Sequence, residues 1–199
     1  MLRWRVVASL TAILIGATPG GFDAKARDHD PPGIVFDGVA RTGNDTRPVR
    51  FHFFCTSNDG TNITGVLAVE LEILGYDQMH ALFDFDPFEG PDAHAGPLTS
   101  LRADGARSKA GDRFAAAGSV VPSGSSEAFS FELAASRREP GSLRKLAAVL
   151  RPLSDGPARL VWLQGNAKPG GTPIDASLDL AKSQSDQLKT ELGPCLGAR

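Results

Sequence analysis

One stretch of this sequence concentrates groups that could do chemistry. Phe83-Asp84-Phe85-Asp86-Pro87-Phe88-Glu89-Gly90-Pro91-Asp92-Ala93-His94 holds four carboxylates and a histidine within twelve residues. On a strand, Asp84 and Asp86 would project from one face. Glu89, Asp92 and His94 follow on a segment that could curl back toward them. Hard cations such as Ca²⁺ are held by several oxygens of this kind, so Asp84, Asp86, Glu89, Asp92 and His94 form a candidate site for calcium or another divalent metal. The spacing is not that of an EF-hand: Asp84-x-Asp86 begins well, but Phe88 stands at position 5 and the glycine falls one place late. A plainer account competes with the metal. Phe83 and Phe85 bury themselves and the carboxylates stay in water.

Other chemistries find less support. His52 lies between Phe51 and Phe53 and reads as a satisfied histidine in or beside the core, with ligand or base as the alternative. His80 could join His94. No H-x-H or H-x-x-x-H spacing occurs, whereas zinc takes three or four closely placed ligands. There is no G-x-S-x-G nucleophile elbow, and Ser142-Leu143-Arg144-Lys145 matches S-x-x-K without its S-D-N and K-T-G companions. Ser142 fits better as a helix N-cap. Gly170-Gly171 sits between Pro169 and Pro173 in a turn, not in a phosphate loop. No catalytic residue and no organic cofactor is assigned. Asn44-Asp45-Thr46 and Asn62-Ile63-Thr64 fit the glycosylation sequon, which carries no meaning in a bacterial chain. After Trp4, only Trp162 and Tyr76 are left of the large amphipathic aromatics, too few for a stacking platform.

The N-terminus speaks of export. Arg3 and Arg5 precede an apolar run, Val6 to Ile15, of signal-peptide length, and Ala24-Lys25-Ala26 offers a small-x-small cleavage pattern. A membrane anchor would need about 20 apolar residues, and Pro19-Gly20 interrupts too soon. Cleavage after Ala26 leaves 173 residues, and the formal net charge moves from -2 to -4. That balance argues against nucleic acid, which demands clustered cations, and no other segment could insert stably in a membrane. Cys55 and Cys195 are the only cysteines. An even count in an exported chain favours a disulfide, worth ~5 kcal/mol at most for so long a loop. Arg outnumbers Lys by 15 to 6, a composition that hints at a bacterial, GC-rich source and hence at the periplasm or the cell exterior.

Around these groups the chain must supply a scaffold. Residues 27–33 are polar and Pro-rich, a flexible leader, and 34–199 reads as a single domain closed by a Cys55–Cys195 bridge. Ile34 to Ala40 predicts a first strand. Val49, Phe51, Phe53 and Cys55 alternate with polar neighbours. Beyond the turn residues Asn58-Asp59-Gly60, Ile63, Gly65, Leu67, Val69, Leu71 and Ile73 do the same, which predicts an antiparallel hairpin. Residues 81–86, 114–120, 128–133, 159–163 and 174–180 add strands. Ser142 to Arg151 carries a helical stripe, Leu143, Leu146, Ala147 and Leu150. A second helix spans about Ser183 to Leu192, with Gly193-Pro194 as its stop. The tally of about seven strands and one or two short helices predicts a mainly β chain (a β-rich α+β fold), either an antiparallel sandwich or a curved sheet with helices packed on one side.

The functional expectation is a small exported binding or interaction protein of the bacterial envelope. It would contact an unknown protein or envelope component through loops such as 86–112. Two rivals stand beside it: a metal-assisted hydrolase built on the acidic segment, and a purely structural envelope subunit.

Overall fold

The computed structural model describes residues 33–56, 65–90, 93, 95–104, 113–124 and 126–197. The proposed signal peptide, nearly all of the leader and the Asn58-Asp59-Gly60 turn lie outside them. Strand alternation is realised residue by residue in β1 (Ile34–Thr42), β2 (Asp45–Thr56) and β3 (Val66–Leu74). Val49 pairs with Ile73, Phe51 with Leu71 and Phe53 with Val69, so all six side chains enter one core and are fully buried. Thr42 pairs with Asp45 across a two-residue turn. Gly43 takes φ 60° there, which a side chain would strain and which a tight hairpin requires.

Among the described residues, six further strands complete one antiparallel sheet. They are β4 (Thr99–Ala103), β5 (Arg113–Phe114), β6 (Ala117–Ser123), β7 (Ser126–Ser136), β8 (Ala158–Gln164) and β9 (Ile174–Leu180). The order is β5-β4-β8-β9-β1-β2-β3-β7-β6. Its two outermost strands, β5 and β6, are separated in the chain only by Ala115 and Ala116. From Phe114 to Ala117 the backbone can span roughly 11 Å, whereas the edges of a flat nine-stranded sheet would stand about 38 Å apart. The sheet therefore curls until its edges approach. Of the two architectures the sequence allows, this is the curved sheet; a sandwich of two stacked sheets is not formed.

Helices α1 (Pro140–Leu150) and α2 (Lys182–Leu196) pack on the apolar face of the curl. The first lies against β7, β3 and β4, the second against β2 and its neighbours. Leu143, Leu146, Ala147 and Leu150 are buried as the stripe predicts, as are Leu188 and Leu192. Cys55, near the end of β2, is bonded to Cys195 in the last turn of α2 with a Cα–Cα distance of 5.9 Å. No helix among the described residues is long and apolar enough to cross a membrane.

Four local expectations are corrected. Residues 81–86 are not a strand: Leu82 N–H and Phe83 N–H donate to Met79 O, and a 3₁₀ turn follows at Asp86–Phe88. The bend at Pro87 lets Phe83, Phe85 and Phe88 all point inward, which a straight strand would forbid. Thr99–Ala103 is strand β4, although its end at Arg102 and Ala103 reads as the start of a polar loop. Ser142 is not the cap of α1, because Pro140, with φ already helical, starts the helix earlier. Pro194 does not stop α2. It lies within the last turn, where Arg151 Nη2 donates to Leu196 O at 2.7 Å and the disulfide holds the helix end to the sheet.

Candidate functional site

The acidic segment divides on inspection. Asp84 is half-buried, while Asp86 and Glu89 are exposed. Asp92 and His94 lie outside the described residues. The aromatic residues between the carboxylates form a cluster at one end of the core: Phe85 meets Phe129 at 4.7 Å between centroids, and Phe88 meets Phe131 edge-on at 5.3 Å. Asp84 lines two adjoining clefts of about 360 and 510 Å³ with Asn166, Lys168 and Pro169. Asn166 fastens that loop by donating to Leu82 O and Thr172 O, each at 3.2 Å. His80 is exposed and rests its ring against Tyr76 and Phe85. Burial beside these rings, then the carboxylates of Glu127, Glu89 and Asp77, push the Tyr76 hydroxyl up from its ordinary range. Among the described residues, no three His, Cys, Asp or Glu side chains converge in a set that could hold a metal ion.

A different set converges on the face of the sheet that carries no helix. Strand alternation sends Arg50, His52 and Phe54 of β2, Glu70 and Glu72 of β3, and Ser130 and Glu132 of β7 to that side. Register then places them in two cross-strand rows. Arg50 pairs with Glu72 and Glu72 with Ser130; His52 pairs with Glu70 and Glu70 with Glu132.

Two hydrogen bonds, His52 to Glu72 and Ser130 to Glu70, run diagonally between these rows, and an ion pair joins Arg50 to Glu72 within one. His52 Nε2 lies 2.8 Å from Glu72 Oε2, and Arg50 Nη1 is 3.6 Å from Glu72 Oε1. Ser130 Oγ donates to Glu70 Oε1 in a short contact. Glu72 is only 5% exposed and Ser130 2%, although no core lies on this side of the sheet.

Curvature accounts for that burial. Arg50 Nη1 reaches Ser123 Oγ of β6 at 3.2 Å, although β3 and β7 lie between their strands. The polar face is thus folded inward along this diagonal. The result is a trough of about 460 Å³. Gly33, Ile34 and Val35 form one rim, Val121 and Pro122 the other, and His52, Phe54, Glu70 and Glu72 the floor. Gly33 permits the close approach of the first rim, since a Cβ there would stand 2.8 Å from Phe53 O.

The electrostatics are uneven. Glu72 has two partners, the Arg50 guanidinium and the His52 imidazole. Glu70 and Glu132 form no ion pair among the described residues and stand directly opposite each other, an unfavourable placement for like charges. Desolvation against the sheet, and then the Glu70 carboxylate, push Glu132 above the ordinary carboxylate range, although it keeps much of its surface in water.

Of this set, the sequence singled out His52 alone, and as a residue satisfied in or beside the core. Arg50, Glu70, Glu72, Ser130 and Glu132 went unremarked. Charged residues at alternate positions of a half-buried strand are the ordinary solvent face. What distinguishes these is the depth to which curvature sinks them. No protein-family model, no curated protein and no solved structure matches this chain.

Proposed function

We propose that this chain is an exported, non-enzymatic binding protein of the bacterial envelope, and that it receives its ligand in the trough between β1 and β6. One observation carries the reading: a walled concavity, on the side of the sheet opposite the core, with a buried carboxylate held by Arg50 and His52 at its floor. Burying a charge is costly, and the fold gains no core by doing it there. Concave sites with apolar walls and a few convergent polar groups are the usual form of small-ligand sites. The formed disulfide supports the exported location, since such bonds persist in oxidising compartments. The expected contact surface accordingly moves from loops 86–112 to this face.

Ring resonances of His52, followed by NMR while cationic, neutral and anionic organic probes are titrated, test the reading. At least one probe class should shift them saturably. Val121→Trp, which fills the trough from its rim, should abolish that response while leaving the disulfide and the thermal transition in place. No saturable shift with any class would refute a ligand site here.

A further inference from the structure

We propose that the trough selects a small organic cation: an ammonium or guanidinium group carried on an apolar body. This deepens the preceding reading and rests on it.

Charge comes first. Three carboxylates, Glu70, Glu72 and Glu132, share the floor and its flank with one guanidinium, Arg50, and one imidazole, His52. Asp37 faces Arg50 from β1. Even with His52 protonated, the set is net negative. Arg50 and His52 are both engaged by the same partner, Glu72. Among the described residues, Glu70, which lines the trough, has only the Ser130 hydroxyl as a side-chain partner, and Glu132 beside it has no ion pair. An anion would be repelled from this floor. A neutral guest would displace water from Glu70 and return nothing. A cation replaces that water with a charge-assisted hydrogen bond and relieves the repulsion between Glu70 and Glu132.

The walls indicate what the charge rides on. Ile34, Val35, Val121 and Pro122 are apolar, and Phe54 offers an aromatic ring to a bound cation. The volume of about 460 Å³ falls within the usual span for small ligands. A bare metal ion would leave those walls unused, and the described carboxylates do not converge as ligands for one.

Three probes of like body and different charge decide the matter: 2-phenylethylammonium, 3-phenylpropionate and 2-phenylethanol. Each is titrated calorimetrically into the native, disulfide-bonded protein. The ammonium alone should bind, more weakly as salt is raised. Glu70→Gln keeps the acceptor for Ser130 and removes the charge; it should weaken ammonium binding by roughly tenfold or more. Val121→Trp should abolish binding by occlusion. If 3-phenylpropionate or 2-phenylethanol binds as tightly, or Glu70→Gln leaves the affinity unchanged, the cation assignment is wrong and the trough remains a site for another class. If none of the three binds at millimolar concentration, both readings fall.

Discussion

Glu132 is the most poorly placed charge on the polar face. Its carboxyl keeps a proton to higher pH in the folded protein than in the unfolded chain, because burial and Glu70 both disfavour the anion. Between the ordinary carboxylate range and the raised one, the folded state therefore binds more protons, and stability falls as pH rises through that window. Below it the penalty is absent. Opposed like charges cost about 0.2–1 kcal/mol on a strand pair, and the exposure of Glu132 keeps the value low in that range. Glu132→Gln should consequently raise Tm by about 1–3 °C at pH 7 and give no gain at pH 3.5. Calorimetry at the two pH values checks this; a lower Tm at pH 7 would mean that the carboxylate has a favourable partner. The buried Glu72 is the opposite case, since Arg50 and His52 both hold it, and its loss would leave them without that partner.

Among the elements, the segment that follows β3 has the sharpest division between what it looks like and what it does. Its carboxylates have the composition of a metal site, yet its phenylalanines bind it to the fold. Phe85 is almost fully buried against Tyr76, Phe83, Phe129 and Phe131. Phe85→Ala should cost about 3–5 kcal/mol, whereas Asp86→Ala, at an exposed side chain, should stay within about 0.5 kcal/mol. Chemical denaturation of both variants measures the contrast, and equal effects would mean the carboxylate has a structural task. Elements were legible where one period governed them. The 49–73 hairpin has a clean two-residue alternation and one buried face, so which of its residues enter the core follows. Elsewhere a longer-range demand overrode the local pattern. Alternate phenylalanines imitate a strand over 81–86, but burying Phe88 as well requires a bend. Strand β4 is five residues with a serine and an arginine, too short for alternation to show. Pro194 looks like a stop, but a proline in the last turn loses only one hydrogen bond, and the disulfide and Arg151 hold that turn in place. The trough was the least legible part. His52 and Glu132 are 80 positions apart in the chain, and only register and curvature bring their strands into one floor.

At the scale of the whole molecule, the Cys55–Cys195 bond joins the sheet to the final helix across a separation of 140 residues. In the loop-entropy account such a closure restricts the unfolded chain, and removing a native disulfide costs about 2–5 kcal/mol. Replacing both cysteines by alanine should lower Tm by roughly 5–15 °C and should free the C-terminal turn of α2 first, a loss that hydrogen exchange would register as lowered protection at residues 190–196. An unchanged Tm would show that α2 is held by its leucines alone.

The two-alanine passage from β5 to β6 has a further consequence. An open sheet ends in ladders of unpaired amides and carbonyls, which invite a neighbouring molecule to add its own strand and so begin a fibril. Here one border is only two residues long, and the other is met at Gly118 by Glu89 and Gly90 of the same chain. A border cut short on one side and partly covered on the other thus leaves a second copy less template to extend than an open sheet of this width would offer.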